Sequence, residues 1–117
     1  MKDMLEKPNK ISVLGTTYQI EWRNLIEDAT LIESDGYCDD SANKIVLSND
    51  ERALPGRKGN LAAVRRKQLR HEIIHAFLSE SGLAENSDWA QNEEVVDWMA
   101  IQFPKLIEVF GQAGCLR

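Results

Sequence analysis

The sequence predicts an α+β domain, an antiparallel β-sheet made of N-terminal hairpins and packed on C-terminal helices. Two observations carry this. Alternating apolar and polar residues with turn signals run from Ile11 to Ser48, and apolar residues at helical spacing take over from Leu61. A third bounds the size: 117 residues suffice for one core, so residues 1–117 read as a single domain.

From Ile11 to Trp22, two apolar arms flank Gly15-Thr16-Thr17, the pattern of a β-hairpin. Asn24 to Asp35 is open, because Leu25-Ile26 and Leu31-Ile32 fit a short helix, a strand or both. Gly36 to Asp40 and Lys44 to Ser48 surround the polar turn Ser41-Ala42-Asn43 and predict a second hairpin. Asn49 to Asn60 holds Pro55, Gly56 and Gly59 and reads as an exposed loop.

Leu61, Val64, Leu69, Ile73, Ile74, Phe77 and Leu78 then line one side of a helix that Gly82 is placed to stop. Ser87 or Asp88 can cap a further helix containing Val95, Val96, Met99 and Ile101. Pro104 is expected to end or bend it before Leu106 to Phe110 starts another apolar turn. Trp89, Trp98, Phe103 and Phe110 read as core packing between these last helices.

A net charge of −5 argues against a large nucleic-acid surface, which needs clustered Lys and Arg. Arg57, Lys58, Arg65, Arg66, Lys67 and Arg70 form one basic stretch, read as a solvated helix face and its leading loop. No window approaches a membrane span, and Met1 to Lys10 lacks the apolar run of an export signal. Cys38 and Cys115 are too few for a disulfide framework and fit free thiols in a reducing cytoplasm.

The chemistry concentrates in His71-Glu72-Ile73-Ile74-His75, which contains both histidines of the chain. Residues four apart on a helix share a face, so His71 and His75 can put two imidazole nitrogens on one zinc ion. Glu72 then stands beside the metal, where a carboxylate can accept a proton from an activated water. With no third histidine, the remaining ligand must be of another type, and Asn92-Glu93-Glu94-Val95-Val96-Asp97 is the best source. Glu93 is preferred to Glu94. Asp97 follows Glu93 by one helical turn and can accept the free N–H of a ligating histidine, whereas Glu94 is followed by Trp98, which only donates.

With these residues in hand, the chain resembles the gluzincin metallopeptidases, in particular the small ImmA/IrrE-type zinc peptidases of phages and prophages. The matching stretches are Ile11 to Ile20, Gly36-Tyr37-Cys38-Asp39 with Ile45 to Leu47, His71 to Phe77, and Glu93 to Asp97 with Trp98-Met99-Ala100 running to Phe103-Pro104. The resemblance implies a zincin-like peptidase acting on a peptide or protein, with Glu93 as the third zinc ligand, Asp97 as its companion and Glu72 as the base. It also implies that an edge strand, Lys44 to Ser48, borders the cleft and binds an extended peptide by strand addition. Such peptidases are associated with repressor cleavage and a helix-turn-helix partner, and this chain reads as a stand-alone phage or prophage protein. The rival expectation is a zinc-containing interaction module that cuts nothing. Tyr18, Tyr37 and Arg70 are the residues available to stabilise an oxyanion, and each reads as structural.

Overall fold

The computed structural model describes residues 9–49 and 61–117; the expected loop, with Arg57 and Lys58, lies almost wholly outside them. The architecture is α+β, as the order of patterns requires. Strands β1 (Lys10–Val13) and β2 (Thr16–Arg23) form the first hairpin. Leu14 and Gly15 both take positive φ, 49° and 90°, the two-residue turn whose twist suits a hairpin. Asn24 to Asp35 resolves into turns and a 3-10 helix at Ala29–Ile32, capped by the Asp28 side chain. Strands β3 (Gly36–Asp39) and β4 (Lys44–Ser48) form the second hairpin.

The sheet is mixed, not antiparallel. Its order is β1-β2-β4-β3, and β4 pairs in parallel with β2, Ile20 opposite Ile45 and Trp22 opposite Leu47. Strand β4 therefore occupies an inner position, and the edge strands are β1 and β3. The reason is composition. Ile45, Val46, Leu47 and Ser48 are all buried, and a continuous run of that kind needs cover on both faces, whereas the more polar Gly-Tyr-Cys-Asp of β3 tolerates an edge. The expectation that Lys44 to Ser48 borders the cleft thus passes to β3.

Helix α1 (Leu61–Glu80) crosses one face of the sheet. Leu69, Ile73 and Ala76 pack against Val13, Tyr18, Ile20, Ile45 and Leu47, while Ile74 and Leu78 join a second cluster with Ala90 and Val96. Phe77, expected in the core, is largely exposed. Gly82, with φ 86°, follows the helix end as expected. Close packing around β3, against β4 and then α1, depends on Gly36. A Cβ there would lie 2.8 Å from Leu47 Cδ2, 2.9 Å from the Val46 carbonyl oxygen and 3.3 Å from Gln68 Cγ. The backbone oxygen cannot swing aside, so Gly36→Ala is expected to lower stability by about 1–3 kcal/mol in urea denaturation.

A short helix α2 (Leu83–Asn86) and a 3-10 turn at Asp88–Gln91 lead into α3 (Glu93–Ala113). The cap is Asn92, whose side chain accepts from the Val95 N–H at 3.0 Å, and not Ser87 or Asp88. Burial of Ala90 and a bond from the Gln91 amide to the Ala84 carbonyl wind the intervening residues into the 3-10 turn first.

Pro104 neither ends nor breaks α3. Proline removes the N–H that would satisfy the carbonyl of Ala100, and Arg70 Nε donates to that oxygen at 2.6 Å instead. Arg70→Met should therefore cost about 1.5–3 kcal/mol, the range for a charge-assisted hydrogen bond. In a Pro104→Ala background, where an N–H is restored, the same change should cost little. Thermal or urea unfolding of the four chains of this cycle measures the coupling. The expected aromatic core of the last helices does not form: Trp89, Trp98, Phe103 and Phe110 are all exposed.

Candidate metal centre

The two core clusters leave one part of α1 between them, and His71 and Glu72 fill it. They are 7% and 4% exposed, unusual burial for polar side chains that must then find partners. His75 is half-buried one turn on, its ring centroid 4.9 Å from that of His71. Helix α3 begins opposite this face because Asn92 caps it there. Glu93, in the first turn, reaches across from the rim.

One Glu93 oxygen lies 2.8 Å from His71 Nε2 and the other 3.0 Å from His75 Nε2. On the far side of its ring, His71 Nδ1 is 3.3 Å from Asp97 Oδ1. This arrangement suits a tautomer with the proton on Nδ1 and both Nε2 lone pairs facing one point. The spacing Glu93-x-x-x-Asp97 brings both carboxylates to His71, and Glu94 takes no part in the contact. Lys67 Nζ lies 2.9 Å from the same Asp97 oxygen.

A metal ion can be held by His71, His75 and Glu93, whose donor atoms all lie within 4.8 Å of one another. The fit is chemical as well as geometric. Two imidazoles and one carboxylate are the donors of an open four-coordinate site, and bonds of about 2.0–2.2 Å set tetrahedral ligand atoms about 3.3–3.6 Å apart. The two Glu93–histidine separations, 2.8 and 3.0 Å, need only a small expansion to reach that range.

Glu72 is turned into the same space. Burial raises its carboxyl above the ordinary value, against the pull of both histidines and of Gln68, whose amide donates at 2.5 Å. For Glu93, burial also raises the pKa, but the His71 hydrogen bond and the His75 charge outweigh it and the net direction is down. The Lys67 bond is the main cause of a lowered Asp97. Sequence reasoning missed Lys67 and Gln68 in these roles. For Gln68 the signal is position, four residues before the Glu72 it serves, whereas Lys67 meets Asp97 thirty residues on and across two helices, which local spacing does not show.

These groups open onto a cavity of about 680 Å³ that runs between α1, edge strand β3 and the 83–93 segment. Cys38 lines it with a thiol that burial, then the Glu72 charge, push up to about 12, so it is no thiolate nucleophile at neutral pH. Cys115 follows α3, twenty helical residues beyond Glu93 and hence roughly 30 Å away along the axis. The residues considered for an oxyanion are all engaged. Tyr18 is buried with its hydroxyl on Glu80 at 2.8 Å, Tyr37 donates to Asp28 at 2.5 Å, and Arg70 holds the Ala100 carbonyl.

Of the basic stretch, Lys67 and Arg70 are thus committed to internal contacts, and Arg66 is exposed. No helix among the described residues is long and apolar enough to cross a membrane. A scan against protein-family models and searches of the curated proteins and of the solved structures each found no match.

Proposed function

We propose that this chain is a zinc-dependent metallo-endopeptidase. The observation that carries the reading is Glu93, reaching from a second helix to the Nε2 atoms of both histidines at 2.8 and 3.0 Å while Glu72 stands buried beside them. Zinc suits two histidines and a carboxylate with a position left over, and when bound it supplies a Lewis acid that polarises a peptide carbonyl and acidifies water. The chain's own residues do the rest. Asp97 fixes the His71 ring, Gln68 holds the Glu72 carboxylate in place, and Glu72 takes the proton of the attacking water and passes it to the departing amine nitrogen. The resemblance to small ImmA/IrrE-type peptidases of phages and prophages supports the same roles.

Among the described strands β3 is an edge that borders the cavity, and an extended peptide can bind there as an added strand, displacing the Ser34 hydroxyl that holds the Gly36 N–H and carbonyl. The test is direct. Purified protein reconstituted with zinc should hold about one ion per chain and cleave members of a peptide library, and a chelator should stop both. Failure to retain supplied zinc would sink the metal, and zinc without cleavage would sink the peptidase.

One observation favours a second reading, a zinc-containing interaction module. Tyr18, Tyr37 and Arg70 are all tied to other groups, so none of the three is free to stabilise an oxyanion. Zinc retention with peptide binding but no turnover is the outcome it expects.

A further inference from the structure

We infer that the cleft selects a basic side chain, Lys or Arg, next to the bond it positions, and that Asp40 and Glu85 determine this preference. The inference rests on the metal-cleft reading above and names the class of peptide that cleft takes. Among the described residues, four carboxylates line the cavity, those of Asp40, Glu72, Glu85 and Glu93, and no Lys or Arg does. A divalent ion held at the histidines compensates Glu93 and Glu72, which face it, and leaves the charges of Asp40 and Glu85. The negative potential is therefore concentrated away from the metal, at the end of the cleft beyond His75.

The geometry gives this end a defined wall. Asp40 directly follows β3, the edge against which an extended peptide would lie. One of its oxygens accepts from Ser79 Oγ at 2.7 Å, which fixes the carboxylate one helical turn after His75 and leaves the other oxygen for a ligand. Glu85, on α2, lines the same cavity from the neighbouring segment. Successive side chains of an added strand alternate in direction, so one residue of the peptide near the metal is directed into the cleft between these walls. An ammonium or guanidinium there meets uncompensated carboxylates, and an acidic side chain meets repulsion. One unit charge about 6 Å from a carboxylate, at an effective dielectric of about 40, changes affinity by about tenfold.

The experiment uses the full chain loaded with zinc. Cleavage of a positional peptide library by wild type should favour Lys or Arg over Gln by about tenfold, and over Glu by about a hundredfold, at one position beside the cut, and Asp40→Asn combined with Glu85→Gln should abolish the preference. In parallel, fluorescence anisotropy on Glu72→Gln should show a Lys-containing decapeptide binding about tenfold more tightly than its Gln counterpart and about a hundredfold more tightly than its Glu counterpart. Equal binding of the two peptides, or a basic preference that survives in the Asp40→Asn, Glu85→Gln chain, overturns the inference. No cleavage of any peptide together with charge-selective binding overturns only the peptidase reading. Both substitutions are isosteric changes at exposed side chains, and an unchanged thermal midpoint confirms that each chain is folded.

Discussion

Glu93→Gln is expected to weaken zinc binding by about two to three orders of magnitude, while Glu94→Gln leaves it unchanged. The size follows from sharing an apparent structural-zinc binding free energy of about 10–16 kcal/mol over four ligands, which is about 2.5–4 kcal/mol each. The selectivity follows from the helix. Asn92 caps α3 so that Glu93 occupies the position facing both histidines, and the adjacent Glu94 is rotated by about 100° around the axis. Asp97→Ala should fall between them, at about ten- to hundredfold, because it removes the acceptor that orients His71 without removing a ligand. Competition with a chromophoric chelator measures all three. Equal losses for Glu93→Gln and Glu94→Gln would mean that the ion, if held, is not held through this helix turn.

The choice of Glu93 over Glu94 is legible in the sequence, from the helical turn to Asp97 and the inability of Trp98 to accept a hydrogen bond. What the sequence hid is longer-range. The hairpins are local and their turn residues announce them, but the parallel pairing of β4 with β2 brings together strands separated by another strand and a 3-10 segment. The all-buried run Ile45-Val46-Leu47 was the available sign of an inner strand. Pro104 misled because its usual effect is a break, and the compensating donor, Arg70, sits on another helix, thirty residues before the Ala100 carbonyl it holds. The aromatic residues of α3 misled differently. Helical spacing says which side chains share a face but not whether a neighbour covers it, and Trp98 is 56% exposed.

Glu72→Gln should leave zinc affinity nearly intact and reduce peptide hydrolysis by about 10²–10⁴, the contribution of a positioned general base. The glutamine keeps the length and nearly the volume of the side chain, and its carbonyl oxygen can still accept the Gln68 amide hydrogen bond. It cannot take a proton from water at neutral pH. The change also removes a charge from a site only 4% exposed, where burial already disfavours the ionised form, so the metal-free variant should melt no lower than wild type. Calorimetry, zinc titration and library cleavage on the same preparation separate the possibilities. A lower melting point with lost cleavage would trace the defect to folding, and full activity in the variant would remove Glu72 from the chemistry. Retained zinc, retained stability and lost turnover together leave the proton as the only thing the substitution took away.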